Sequence, residues 1–249
     1  MPRYDFRTPR LYVDAPLAAG AEVPLDRDRA NYLVNVLRLR PGDAVLLFNG
    51  RDGEWGATLT GTARRGGALS VAERTREQPQ AGDLHVLFAP LKHARLDYVV
   101  QKAVEMGATR LVPVITRHTQ VARVNVERMR ANVVEAAQQC GILMLADVAE
   151  PLPFAAALAA LAPERLLVFC DENAEVKDPL AALGALRADA GIAVIIGPEG
   201  GFSDEERAVL LRRPHVARIS LGPRILRADT AAVAALALVQ AVLGDWRSS

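Results

Sequence analysis

The sequence predicts an α/β protein in two parts, a small β-rich unit followed by a larger domain in which helices cover a parallel sheet. Three observations predict it. The first 75 residues carry short alternating or apolar runs divided by Pro-Gly-Asp, Asn-Gly and Gly-Gly turn signals. From Leu84 onward, apolar runs alternate with segments of helical period. Several runs in this second part, such as "LLVFC" and "AVIIG", are apolar at every position, as strands covered on both faces are.

The elements follow in order. "RLYV", "AVLLF", "GATLTGT" and "ALSVAE" read as strands of the first part. Between the first two, "DRDRANYLVNVLRLRPGD" puts Tyr32, Leu33, Val36 and Leu37 on one stripe of a helix that Pro41-Gly42 ends. Five or so short strands with one helix suggest a small barrel over residues 1–75. "REQPQAGD" (Arg76–Asp83) is polar, contains Pro and Gly, and reads as a linker. The domain over residues 84–249 opens with the strand "LHVLFAPL". The helix "LDYVVQKAVEMG", with Leu96, Val99, Val100 and Ala103 on one face, precedes the strand "RLVPVIT" and a helix from about Val126 to Gln139. "RLLVFCDE", a short helix after Pro179, "GIAVIIG", a helix opened by Ser203, "ARISLG" and an alanine-rich helix from about Asp229 to Leu243 complete it.

Composition narrows the function classes. With 51% hydrophobic and 24% charged residues, the chain can bury a core. It has no apolar run of membrane-spanning length, and "MPRYDFRTPRLYV" lacks the apolar core of a secretory signal, so the expected location is cytoplasmic. Cys140 and Cys170 make no disulfide framework and read as reduced and buried. His85, His93, His118 and His215 lack ligand spacing, so no metal is expected. A Walker loop, a dinucleotide-binding Gly-x-Gly-x-x-Gly after the strand at Leu84, and a Gly-x-Ser-x-Gly elbow are all missing. Arginine carries nearly all the positive charge, since only Lys92, Lys102 and Lys177 are lysines. From Leu84 to Arg130 there are eight Lys/Arg against three Asp/Glu, and from Ala131 to Ser249 ten against fifteen. A basic block in a nearly neutral chain fits a nucleic-acid face, with solvated helix faces as the other reading.

Three strand ends in the second part share an unusual character. "VFCDEN" leaves its strand with acidic residues, "IIGPEGGFSDEE" with glycines, and "ISLGPRILRADT" with Gly-Pro-Arg and a further arginine before a helix. Ligands bind outside the carboxyl ends of strands in open α/β sheets, and glycine lets backbone approach a ligand closely. Each loop also has a plain reading: Gly200-Gly201 as the turn before a Ser203/Glu206 capping box, Gly222-Pro223 as a β-turn. Arg227 stands just before a helix N-terminus, where the dipole disfavours a cation and an anion would explain it better.

"IGPEGGFSDEE" followed by "LGPRILRADTAAVAAL" resembles the paired signature of the RsmE family, the bacterial 16S rRNA (uridine-N3)-methyltransferases. "LKHARLDYVVQKAVEMGATRLVPVITRHTQV" and "EAAQQCG" match that family's other blocks in the same order, over essentially the whole chain. The resemblance implies a PUA-like RNA-binding barrel at residues 1–75 and a SPOUT methyltransferase domain at 84–249, whose C-terminal segment threads a trefoil knot. It implies a homodimer that binds S-adenosyl-L-methionine and acts on 16S rRNA of the small ribosomal subunit. Carried onto this chain, the cofactor-binding residues are Phe169, Cys170, Asp171, Glu172, Gly197, Pro198, Glu199, Gly200, Gly201, Ser220, Leu221, Gly222, Ile225, Leu226, Arg227 and Thr230.

Methylation at uridine N3 requires removal of a weakly acidic proton or stabilisation of the uracil anion. Arg227 is the candidate for anionic uracil oxygens and Glu199 for proton acceptor or sulfonium partner. RNA contacts are expected from Arg10, Arg38 and Arg40 in the barrel and Lys92, Arg95 and Lys102 in the basic block; for Lys102 an i,i+3 pair with Glu105 is the alternative. Ile142 and Ala146 stand where the family commonly has arginine and proline, and Asp229 where glutamate is frequent. Two other functions stay open on sequence alone: ribose 2′-O-methylation by the same fold, and a non-catalytic ribosome-assembly factor.

Overall fold

The computed structural model describes residues 5, 7–61, 67–92, 94–121, 123–171, 174–175 and 178–248. It forms two units, residues 1–80 with 137–145, and residues 81–136 with 146–249. The stretch 137–145 thus belongs with the N-terminal unit, although it lies inside the segment expected for the second domain.

In the first unit, strands β1 (Arg10–Tyr12), β2 (Glu22–Pro24), β3 (Ala44–Phe48), β4 (Glu54–Thr60) and β5 (Ala68–Arg76) make one sheet in the order β1-β3-β4-β5-β2. β1 runs parallel to β3 and the other neighbours are antiparallel. Leu11, Val13, Val45, Leu47, Leu59, Leu69 and Val71 fill the core of this sheet. β2 has no counterpart in the sequence reading: at three residues with a terminal proline it carries little strand signal, and proline is tolerated there because β2 is an edge.

Helix α1 (Arg27–Asn31) starts on Asp26, whose carboxylate accepts from Arg29 N, and continues as a π-helical turn over Tyr32–Val36. Leu37 N–H reaches back five residues to Tyr32 O at 2.9 Å. That wider turn rotates the following side chains. Leu33 stays buried, whereas Val36, expected on the same stripe, is 60% exposed.

The second unit contains β6 (Leu84–Phe88), α2 (Ala94–Glu105), β7 (Arg110–Ile115), α3 (Val126–Cys140), β8 (Asp147–Val148), β9 (Leu152–Pro153), α4 (Phe154–Ala159) and β10 (Leu166–Cys170). It continues through α5 (Pro179–Gly184), β11 (Ile192–Ile196), α6 (Asp204–Leu211), β12 (Val216–Ile219) and α7 (Ala228–Val242). The last residues of α3, from Ala137, cluster with the first unit. The sheet order is β12-β10-β11-β6-β7-β8, with β9 also paired to β7, and every neighbouring pair is parallel. All five residues of β11, the strand next to β6 and β10, are buried.

The expected linker is shorter in the structure. Arg76 ends β5, and Asp83 is fixed before β6 by Arg165, with Nη2 to Oδ2 at 2.7 Å. That hydrogen bond holds the Asp83 carboxyl below its ordinary range.

Candidate functional site

Parallel neighbours end on the same side of a sheet, so β12, β10, β11 and β6 open their C-terminal loops side by side along one edge. The three segments picked out by their residues therefore meet at one place.

The loop after β11 is shaped from within. A Cβ at Gly197 would lie 2.9 Å from the Phe202 ring, so only hydrogen fits there. Phe202 packs on Phe169 and Phe154, with ring centroids 5.4 and 5.9 Å away. Gly201, at φ +71, closes a turn by donating its N–H to Pro198 O at 2.9 Å. The segment after β7 clasps this turn: His118 Nδ1 meets Gly201 O at 3.1 Å, and Arg117 N donates to Glu206 Oε1 at 2.8 Å. Because the partner is a carbonyl oxygen, Nδ1 carries the proton. Ser203 and Glu206 form the expected capping box on α6. Turn and capped helix are both real, and together they hold Glu199 at the tip with its side chain 44% exposed. Sequence reasoning missed the clasp; its only signal was the polar "TRHT" following a buried strand.

The loop after β10 is built differently. Phe169 is buried in the core, and Cys170 has its thiol pushed up to about 12 by burial, which keeps it neutral. Asp171 is 2% exposed and holds two guanidiniums, Arg207 Nη2 at 2.8 Å and Arg218 Nε at 3.0 Å, from α6 and β12. Asp171 thereby ties the end of β10 to α6 and β12. Glu172 lies outside the described residues.

After β12 the chain leaves with Ser220 buried, Leu221 half-buried, and Gly222 exposed at φ +95. Ile225 is 101% exposed beside a half-buried Leu226. Arg227 is the N-cap of α7 and makes no side-chain capping bond; its guanidinium is exposed and has no ion pair among the described residues. Thr230 is exposed in the first helical turn, and its N–H donates to Asp229 Oδ1 at 2.9 Å. From the start of α2, Arg95 reaches Glu199 Oε1 with Nη1 at 3.4 Å and Asp229 Oδ2 with Nε at 3.8 Å.

The basic residues separate into two groups. Arg38 (at φ +59), Arg40 and Lys92 are exposed. Lys102 is half-buried, paired with Glu105 at 2.7 Å and 5.6 Å from the Tyr98 ring centre, which is the alternative reading of that residue. Arg10 does not belong on an RNA face. Its side chain is 5% exposed, and Nε donates to Glu54 Oε2 at 2.6 Å. Glu54 also accepts from Arg76 Nη2 at 2.7 Å and Thr75 Oγ1 at 2.9 Å, and Arg76 extends to Gly141 O at 2.9 Å. Gln138 Oε1 accepts the Tyr12 N–H at 2.8 Å. The "EAAQQCG" block is thereby wired to the sheet of the first unit, where Ile142 packs on Phe48, Ala137 and Leu143. Ala146 is buried at the start of the second unit's return. Apolar residues at 142 and 146 therefore pack instead of reaching outward.

Among the described residues no group of three or more His, Cys, Asp or Glu could hold a metal ion, and no helix is long and apolar enough to cross a membrane.

Comparison with known proteins bears on this edge. Residues 76–240 match the model of an RNA methyltransferase domain, and residues 25–69 that of an RNA methyltransferase PUA domain. The chain is 30% identical over 232 residues to ribosomal RNA small subunit methyltransferase E of Rickettsia conorii, covering 93% of this chain and 94% of the relative. It is 32% identical over 238 residues to the protein of the same name from Synechocystis, covering 94% and 78%. The crystal structure of ribosomal RNA small subunit methyltransferase E from Neisseria gonorrhoeae bound to S-adenosyl methionine superposes with a TM-score of 0.86 at 28% identity, over 96% of this chain and 100% of that one. A putative methyltransferase from Legionella pneumophila in complex with the same cofactor gives 0.81 at 27% identity, over 96% and 99%.

Proposed function

The chain belongs to the ribosomal RNA small subunit methyltransferase E family, and from that membership we propose that it methylates N3 of a uridine in the decoding region of 16S rRNA, using S-adenosylmethionine. The observation that carries this reading is the sheet edge itself, where the Gly197–Gly201 turn and the Ser220–Arg227 segment lie at the ends of strands separated only by β10. The residues fit the cofactor: Gly201 takes a left-handed turn, and Leu221, Ile225 and Leu226 offer apolar surface at the same edge. Gly197–Gly201 and Ser220–Leu226 hold it in this reading, together with the backbone of Phe169–Asp171 and Thr230.

When bound, S-adenosylmethionine supplies an electrophilic methyl carbon whose bonding pair returns to sulfur on transfer. The chain's own task is the N3 proton. The N3–H pair stays on nitrogen to form the new bond, and the proton passes to the exposed Glu199 carboxylate. Arg227, exposed and without an ion-pair partner among the described residues, faces the negative charge that develops on the uracil oxygens. Arg38, Arg40 and Lys92 supply phosphate contacts. The trefoil knot, the homodimer and a cytoplasmic location belong to the same reading.

The deciding experiment is methylation of purified small subunits from a strain lacking the modification, followed by nucleoside mass spectrometry and mapping of the base. N3-methyluridine at one position is the expected product. A ribose 2′-O-methyl product, or binding without turnover, would replace this reading with another methyltransferase activity or an assembly factor.

A further inference from the structure

Arg95 reads from the sequence as an RNA contact, but its surroundings give it other work. It stands in the first turn of α2, beyond β6, and its guanidinium touches carboxylates that follow two other elements, Glu199 after β11 and Asp229 in α7. The contacts, 3.4 and 3.8 Å, are longer than a closed charge-assisted pair of about 2.8 Å. Asp97, also on α2, does not compete for Arg95, because it holds Arg128 Nε at 2.9 Å and Asn132 Nδ2 at 2.8 Å. Two carboxylates therefore share one cation, and the cluster keeps one net negative charge facing the edge. A bidentate fork would occupy both oxygens of Glu199. The single long contact goes to Oε1 and leaves Oε2 with no hydrogen-bond partner among the described residues.

We infer that Arg95 is a positioning residue for methyl transfer, aiming Glu199 Oε2 at the N3 proton of the target base while Asp229 keeps the guanidinium from closing on Glu199. This rests on the reading of Glu199 as proton acceptor. Arg95 contributes no phosphate contact. The proton passes from N3 to Glu199 Oε2, and the cluster, one negative charge in excess beforehand, ends neutral. Its excess charge complements a sulfonium before the transfer, when that positive charge is present.

The test compares wild type, Arg95→Ala, Arg95→Lys, Glu199→Gln and the Arg95→Ala/Glu199→Gln double variant on small subunits lacking the modification. Turnover is read alongside KM for subunits, the salt dependence of subunit binding, and calorimetric binding of S-adenosylmethionine. Arg95→Ala should lower kcat by about 100-fold, the cost of a misaimed catalytic group, with KM for subunits and the salt slope unchanged. Arg95→Lys should recover about tenfold of that loss by restoring the charge without the fork. In the Glu199→Gln background, Arg95→Ala should cost less than about threefold more, since the two act as a unit. Intact kcat with a salt slope reduced by about one unit would make Arg95 a phosphate contact and overturn the inference. Losses that multiply in the double variant would overturn it too, by showing that Arg95 acts without Glu199. Failure of the underlying reading is distinguishable: wild type would still yield N3-methyluridine while Glu199→Gln kept the wild-type kcat, and the inference would fall with it.

Discussion

Asp171 and Glu199 leave adjacent parallel strands at the same edge, and both belong to segments expected to line one cofactor site. Their side chains live in different worlds. Asp171 is buried between two guanidiniums at 2.8 and 3.0 Å; Glu199 is half-exposed with a single guanidinium at 3.4 Å. A carboxylate inside the fold stays ionised only if its partners replace water, and Asp171 is committed to the two guanidiniums it holds. One at the rim, loosely held, remains able to exchange partners with a ligand. Acidic character at a strand end thus marks the edge, and the number of committed partners decides whether a residue braces it or works at it.

The strongest way to break this contrast is to remove each carboxylate in turn. Asp171→Ala strips a buried carboxylate from Arg207 and Arg218, whose side chains are 30% and 26% exposed, and should cost about 1–3 kcal/mol, read as a lowered denaturant midpoint. Glu199→Gln should hold that midpoint within about 0.5 kcal/mol while slowing methyl transfer by about 10²- to 10⁴-fold. If Asp171→Ala were as stable as wild type and lost only turnover, the two residues would share one role and the distinction would be void.

A second change crosses the boundary between bracing and working. Gly197→Ala forces a Cβ against the Phe202 ring, which Phe154 and Phe169 hold in place. An overpacked core site costs about 1–3 kcal/mol, and here the strain falls on the cofactor turn itself. Calorimetry should show weakened S-adenosylmethionine binding together with a lower unfolding midpoint. Loss of stability with full affinity would mean that the turn does not touch the cofactor.

Glu54 in the first unit sharpens the comparison from outside the site. Burial alone would raise its carboxyl, but hydrogen bonds from Arg76 and Arg10 outweigh that and hold it below 4.5. Because the folded value lies below the unfolded one, the contribution of Glu54 is complete above about pH 4.5 and is lost as pH falls through the folded value. Urea midpoints at pH 7 and pH 4 should therefore fall less for Glu54→Gln than for wild type. Equal falls would mean that acid sensitivity comes from other groups.

What the sequence made legible follows the same division. The turn at Gly197–Gly201 and the cap at Ser203 are local, fixed by residues within a few positions, and both are where the pattern put them. The bracing role of Asp171 depends on Arg207 and Arg218, 36 and 47 positions away, and no local pattern reports that pairing. Arg10 reads as a surface arginine until Glu54, 44 positions on, takes it inside. Val36 leaves its stripe because one turn widens to π geometry, a slip that the 3.6-residue period does not contain. The adjacency of β10, β11 and β12, which assembles the edge, is topology, visible in the sequence only through the resemblance of whole blocks.

The smallest stability effect belongs to the most exposed residue of the edge. Ile225 is 101% exposed, so it contributes nothing to packing within the fold, and Ile225→Ser should leave the denaturant midpoint within about 0.5 kcal/mol of wild type. A large apolar side chain held in water gains only when something covers it. Covering isoleucine is worth about 1.5–3 kcal/mol, which amounts to roughly tenfold or more in affinity for whatever does so. If the cofactor is that cover, Ile225→Ser should weaken S-adenosylmethionine binding by this factor in calorimetry while the sedimentation coefficient stays constant. If a second copy of the chain is the cover, the factor should appear in the dimer dissociation constant instead, with cofactor affinity per protomer intact. If neither constant shifts, Ile225 lies outside the working edge.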